Sequence, residues 1–251
     1  MSFREETLAA VAAVEQGLAL AATGVGSDEV SSKGQRDIVT AADVAIEAAF
    51  RTALGDIPVV GEEGGGSPGE VYWLVDPICG TRNFASGIPL YAVNAALVVS
   101  GEVAAGVVGD PTTGEVHVAE RGGGAWARRG DEWQRLAVSA SSETIVIEDS
   151  HADPDPARRE RAAAAVAAAI RAFRWDIRAL STTLALPYVA AGRVAAYVLF
   201  WTSALHVAAG AVLAEEAGAT VTDIDGRPWT VGSDSLVAAA TAELHAELLA
   251  L

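Results

Sequence analysis

The sequence holds a single cysteine, Cys79, in 251 residues. One thiol forms no intramolecular disulfide, so the fold must rest on its core, and the cytoplasm is the expected compartment. A long unbroken apolar run is also missing. The most apolar window, Leu184 to Trp201, is interrupted by Pro187, Gly192 and Arg193. It predicts a buried helix followed by a strand, not a membrane span. The start, Met1-Ser2-Phe3-Arg4-Glu5-Glu6, is charged and has no apolar signal-peptide region. Positive charge is scarce, with 17 Lys and Arg against 33 Asp and Glu and a net charge of −16. That argues against a non-specific nucleic-acid binder and against anchoring to anionic lipid. It is compatible with a cation-attracting site, though an acidic surface explains it as well. There is no repeat, no low-complexity linker and no heptad.

What is there fits a layered α/β protein. Hydrophobic residues make up 51%, much of it alanine, enough to bury a substantial core as one large domain or two small ones. Thr7 to Ala22 has apolar residues at helical spacing and is stopped by Gly24. Gly26 to Gly34 reads as a polar loop carrying Lys33. A helix from Asp37 to Phe50 puts Asp43 and Glu47 on one face, four residues apart, which without further context is a solvated acidic face as readily as a site. Val59 to Glu62 reads as a strand ending in carboxylates. Tyr91 to Val138 reads as an antiparallel meander. An alanine-rich helix, Arg158 to Phe173, shows no chemistry, and its arginines read as a solvated face. Further on come a helix ending at Ala191, a helix from His206 to Ala217 stopped by Gly218, strands at Thr220 to Ile224 and Leu236 to Ala240, and a closing helix from Ala242 to Leu249. A boundary near Ser139 to Glu148 divides the chain into halves 1–140 and 141–251.

The stretch around which this is organised is Trp73-Leu74-Val75-Asp76-Pro77-Ile78-Cys79-Gly80-Thr81-Arg82-Asn83-Phe84. Val71 to Val75 reads as a buried strand closed by Asp76. Pro77 and Gly80 force a turn, and Thr81-Arg82-Asn83 opens a helix. A carboxylate at a strand end suits a hard cation, and free N–H groups at a helix start suit a phosphate. A purely structural turn is the alternative.

Two more segments stand upstream: Asp37-Ile38-Val39-Thr40-Ala41-Ala42-Asp43, and Gly61-Glu62-Glu63. Together with the central stretch and the late His206-Val207-Ala208-Ala209-Gly210, they resemble the motifs of the inositol monophosphatase family, the lithium-sensitive, magnesium-dependent phosphatases. The resemblance runs from about Lys33 to Gly226. It implies an αβαβα sandwich, hydrolysis of a small phosphorylated sugar, cyclitol or metabolite, Mg2+ as cofactor, and a homodimer. It also implies roles. Glu62, Asp76 and the carbonyl of Ile78 would form a first metal site. Asp43 and Thr81 would orient the attacking water. Gly80, Thr81, Ser181 and Thr182 would meet substrate, with the family's glycine before Ser181 missing. The Gly26 to Gly34 loop would hold a third metal or act as a lid.

The chain departs from the family at metal-ligand positions. Cys79 stands where the family has a second aspartate, His206 where it has the late one, and Leu199 where it has a substrate-binding glutamate. The tryptophan that normally precedes the late aspartate is displaced to Trp201. Magnesium wants hard oxygen ligands, which a thiol and an imidazole supply poorly. Three readings follow. One is a diverged phosphatase using one Mg2+, or a softer Zn2+ or Mn2+ on Asp76, Cys79 and His206. Another is a repurposed enzyme with Cys79 as nucleophile and His206 as base, helix N-termini favouring thiolate and neutral imidazole. The last is a non-catalytic binding protein with no metal. Retained Asp43, Glu62, Asp76 and Thr81 weigh against the last, since grouped buried carboxylates are costly unless paired or metal-bound.

Overall fold

In the computed structural model, residues 3–26, 29–32, 38–148 and 155–251 are described. Lys33 and Asp37 lie outside them, as do Ser27, Asp28 and Gly34 of the loop expected to carry a third metal, and Val30–Ser32 of that loop form a strand. Helix α1 spans Glu5–Ala21. Strands β1 (Val30–Ser32) and β2 (Ile38–Thr40) pair antiparallel and lead into α2 (Ala41–Ala53). Then follow β3 (Val59–Gly61), β4 (Val71–Cys79), the short α3 (Thr81–Ala85), β5 (Ala92–Val99), β6 (Glu102–Asp110), β7 (Glu115–Glu120), β8 (Gly124–Arg129) and β9 (Glu132–Arg135). The rest comprises β10 (Thr144–Glu148), α4 (Pro156–Ala172), β11 (Asp176–Arg178), α5 (Ala185–Ala190), β12 (Ala196–Leu199), α6 (Ala204–Glu216), β13 (Thr220–Thr222), β14 (Leu236–Ala239) and α7 (Ala242–Leu249).

Strands β3 to β9 form a seven-stranded sheet in sequence order, antiparallel apart from the parallel β3–β4 pair. The expected meander is therefore present. A second sheet has the order β11-β10-β12-β14-β13, with β10 parallel to both β11 and β12. The two sheets change over between Arg135 and Thr144. Alternation decides the layers. Trp73, Val75, Val93 and Val107 face α1 and α2 through Val14, Ile46 and Phe50. Leu74, Ala96 and Val108 on the same strands face the other way, onto α5 and α6. The second sheet meets α5 and α6 through Val146, Tyr197 and Leu236, and covers its outer face with α4 and α7 through Ile145, Val198 and Val237. The result is the αβαβα sandwich: helix pair, sheet, helix pair, sheet, helix pair.

Two departures from the sequence expectation bear on the site. Strand β4 does not close at Asp76 but runs on to Cys79, with its register against β5 shifting between Asp76 and Cys79. Pro77 has no N–H to give the ladder, and an irregularity at that point lets the strand continue. Asp43 and Glu47 are not a solvated face either. Both are buried, at 0% and 3% exposure. Asp43 is consumed in a capping box, where its carboxylate accepts from the Thr40 N–H at 2.7 Å and the Thr40 hydroxyl at 2.6 Å. Glu47 accepts from Arg51 and from the N–H groups of Glu63 and Gly64, and so pins the turn that follows Glu62.

Helix α6 carries His206 and lies against β6, where Gly106 makes room for it. A Cβ there would sit 2.5 Å from the Ala209 carbonyl oxygen and 2.7 Å from a Val212 methyl. Gly106→Ala is therefore expected to push α6 off the sheet and destabilise the protein by about 1–3 kcal/mol, as overpacking does. Denaturant titration checks this. A midpoint equal to that of the wild type would mean that α6 is not seated as described.

Candidate active site

One cavity of about 290 Å³ is lined by the ends of β4, β10 and β12, the 180–183 loop and the start of α6, and it gathers residues from across the chain. Glu62, Asp76, Ile78, Cys79, Gly80, Thr81, Ser181, Thr182, Leu199, Trp201 and His206, all singled out by sequence, line it together. Asp43 does not line it. It lies just behind, fully buried, with one carboxylate oxygen in the Thr40 cap and Oδ1 without a partner.

The turn after β4 is held from several sides. Gly80 has φ +105°, and a Cβ there would meet the carbonyl oxygens of Leu90 and Ser181 at 3.0 and 3.1 Å, so only glycine fits. The Thr182 hydroxyl donates to the Cys79 carbonyl at 2.8 Å. Asn83 Nδ2 donates to the carbonyls of Leu90 and Leu180 at 2.8 and 2.7 Å. These bonds tie β4 and α3 of the first sheet to the 180–183 loop of the second half. The Thr81 hydroxyl donates to the Ile78 carbonyl at 3.0 Å. With Oδ2 of Asp43 bonded to Thr40, the expected Asp43–Thr81 pair is not hydrogen-bonded in this structure.

At the centre, Asp76 is fully buried. Its Oδ2 is 2.8 Å from His206 Nδ1, across 130 positions of sequence, and its Oδ1 has no hydrogen-bond partner. Cys79 stands with them. One ligand atom from each of Asp76, Cys79 and His206 lies within 4.8 Å of the others, the one such group among the described residues. Burial lowers the His206 imidazole, but its hydrogen bonds to Asp76 and Cys79 outweigh that and hold it well above its ordinary value. Its ring keeps 31% of its surface open, because the cavity reaches it. Burial, reinforced by the Asp76 charge, pushes the Cys79 thiol up to about 11. Burial also raises Asp43 to about 6, against the Thr40 bonds and with help from Asp76 and Glu63.

Cys79 and His206 thus meet, and both are held above their ordinary values, which favours a thiol and an imidazolium beside Asp76 over the thiolate and neutral imidazole of the nucleophile reading. For Cys79 the reason is that it ends a buried strand and α3 is only five residues long, so burial outweighs the helix terminus; for His206 it is the bonds to Asp76 and Cys79, which outweigh burial.

The residues present fit a cation. Asp76 Oδ1 and Asp43 Oδ1 are buried carboxylate oxygens without donors, each a cost of about 1–3 kcal/mol or more if left so. Glu62 and Ile78 line the same cavity as Asp76. On one tetrahedral zinc, a ring nitrogen and a carboxylate oxygen would stand about 3.3 Å apart. The 2.8 Å between Nδ1 and Oδ2 is instead a hydrogen-bond length.

Sequence reasoning missed several residues that line the cavity or brace its walls. Asn94 donates to the Thr183 hydroxyl at 3.0 Å, and its signal was a lone amide inside the apolar run of β5. Glu148 lines the cavity and accepts the N–H groups of Leu180 and Ser181 at 2.5 and 2.8 Å, and its signal was a charge ending the β-branched run Thr144 to Ile147. Tyr197 lines the cavity too. No helix among the described residues is long and apolar enough to cross a membrane.

Comparison with known proteins agrees with this geometry. An inositol-1-monophosphatase of Mycolicibacterium smegmatis is 34% identical over 233 residues, covering 90% of this chain and 84% of that protein. A Nus factor SuhB of Pseudomonas aeruginosa is 37% identical over 216 residues, covering 78% and 76%. Among solved structures, the extragenic suppressor protein suhB of Bartonella henselae superposes with a TM-score of 0.86 at 27% identity, covering 98% of each chain. An IMPase of Thermotoga maritima superposes with a TM-score of 0.80 at 29% identity, covering 96% of this chain and 94% of that one. The match to the inositol monophosphatase family extends over residues 3–251, and the chain belongs to that family.

Proposed function

We propose that the protein is a phosphomonoester hydrolase for a small polyol, cyclitol or sugar phosphate, working with one divalent cation in place of the family's two or three. The observation that carries this is the division of Asp76. His206 Nδ1 takes one oxygen, and the other is buried and unpartnered, free for a single ion together with Glu62 and the Ile78 carbonyl. When bound, that ion would activate water and offset phosphate charge. The remaining work falls to side chains. His206, held charged by Asp76, puts a positive charge where the family has a metal ligand, and it faces the cavity. Asp43, buried and raised to about 6, is poised to take a proton once the Thr81 hydroxyl turns from Ile78 toward the attacking water. Gly80, Thr81, Ser181 and Thr182 wall the space for the ester. Family membership supports Mg2+ as the ion and a homodimer as the assembly, and the single cysteine supports a reducing, cytoplasmic setting.

A second reading has one specific observation in its favour. The clustering of Asp76, Cys79 and His206 within 4.8 Å suits Zn2+ or Mn2+, provided the Asp76–His206 bond gives way to the metal. A nucleophilic Cys79 has no such support, because its thiol is buried and pushed up to about 11.

Three outcomes are expected. Calorimetry should find one weak Mg2+ site in the wild type, and a second should appear in the double variant Cys79→Asp/His206→Asp. Two tight sites in the wild type would contradict the single-ion reading. Iodoacetamide at neutral pH should label Cys79 only after unfolding. Rapid labelling of the folded protein would revive the Cys–His enzyme, and labelling released by a chelator would favour zinc. Finally, Thr81→Ala and Asp43→Asn should each lower phosphatase kcat by about 100-fold or more without unfolding the protein, the scale of positioned acid–base catalysis. Unchanged turnover in both would remove them from the mechanism.

A further inference from the structure

Glu148 is the last residue of β10, and its register partner on the parallel strand β12 is Leu199, the last residue there. Both therefore stand at the carboxyl end of the second sheet, where parallel strands open onto ligand sites, and both line the central cavity. A carboxylate at 8% exposure is an expensive thing to keep in such a wall. It is held there firmly. Oε1 accepts the N–H groups of Leu180 and Ser181, and Oε2 accepts the Tyr197 hydroxyl at 3.3 Å. The loop it grips is itself strained, since Ser181 has φ +54° without being a glycine. These bonds fix the direction of the carboxylate, whose two oxygens together offer about four acceptor sites.

Chemistry then assigns the wall. A fixed carboxylate repels a phosphate dianion and accepts hydroxyl hydrogens, so the phosphate belongs beside Asp76 and His206, and an alcohol part belongs beside Glu148. Leu199 and Trp201 line the cavity with it and offer apolar surface to ring carbons. The donors and acceptors on hand, Glu148 with the hydroxyls of Ser181 and Thr183, match a molecule carrying several hydroxyl groups.

We propose that Glu148 is the specificity-determining residue of this cavity, accepting hydroxyl hydrogen bonds from the polyol part of a phosphate ester. This rests on the hydrolase reading above. The test compares kcat/KM for inositol 1-phosphate with kcat/KM for p-nitrophenyl phosphate, which has no hydroxyl groups to offer. It uses the wild type, Glu148→Ala and Glu148→Gln. The glutamine retains an oxygen for the Leu180 and Ser181 N–H groups, so it separates loss of the ionised acceptor from collapse of the loop, and thermal melting checks that each variant folds. The ratio of the two constants should fall at least tenfold in Glu148→Ala, and by a smaller factor in the same direction in Glu148→Gln. A ratio that falls less than tenfold in Glu148→Ala, with both constants dropping in parallel, would make Glu148 an anchor of the loop and overturn the proposal. If the wild type hydrolyses neither ester, the hydrolase reading fails, and calorimetry decides the role of Glu148 separately. Binding of inositol 1-phosphate weakened at least tenfold more than binding of inorganic phosphate in Glu148→Ala would uphold it. Equal weakening, or no binding of the ester by the wild type, would overturn it.

Discussion

The interaction on which the rest depends is the one between Asp76 and His206. Asp76 has no exposed surface, and an ionised carboxylate in that position needs a partner. The nearest is an imidazole from the other half of the chain, at 2.8 Å. That bond joins the end of β4 to the first turn of α6, and so joins the first sheet to the helical layer behind it. Removing one member of such a buried pair leaves the other charge uncompensated, which costs about 3–5 kcal/mol. The pair is thus a structural joint as well as the middle of the cavity.

Around that joint the polar groups are divided between holding and acting. Glu47, Asn83, Asn94 and Thr182 spend their hydrogen bonds on backbone or neighbouring side chains, and they fix the turns that carry Glu62, Gly80 and the 180–183 loop. Asp76 Oδ1 and Asp43 Oδ1 are left without donors in a buried place. Such atoms are rare in folded proteins and tend to mark sites of chemistry. Their position, beside a cavity that Glu62 also lines, is what gives a cation reading its weight over an inert one. On the single-ion reading proposed above, a neutral thiol and a charged ring stand at this place, and the need for a second cation falls with them.

Much of this was legible in the sequence because it is written in short, ordered motifs. Asp76, Gly80 and Thr81 declare themselves by their turn chemistry and by the residues upstream, and the αβαβα layering follows from the family they resemble. Helix bounds came out within a few residues for α1, α4 and α7. What stayed hidden depended on distance in sequence. Glu148 lies in the stretch read as a boundary, at the end of β10, an interior strand of the second sheet. Nothing local says that its carboxylate turns back onto Leu180 and Ser181. The burial that pushes the Cys79 thiol up was not legible in the same way, since a helix start is visible in sequence and burial is not. The continuation of β4 through Pro77 was missed for a similar reason, since proline is a good stop signal until a register shift accommodates it.

The central claim is that His206 holds one oxygen of Asp76 and leaves room for a single ion. Crystals soaked in Mn2+ and measured at its absorption edge test it most directly. The account predicts one anomalous peak, bounded by Glu62, the free oxygen of Asp76 and the Ile78 carbonyl, with the His206–Asp76 hydrogen bond intact. A peak between Asp76, Cys79 and His206, with that bond broken, would contradict it.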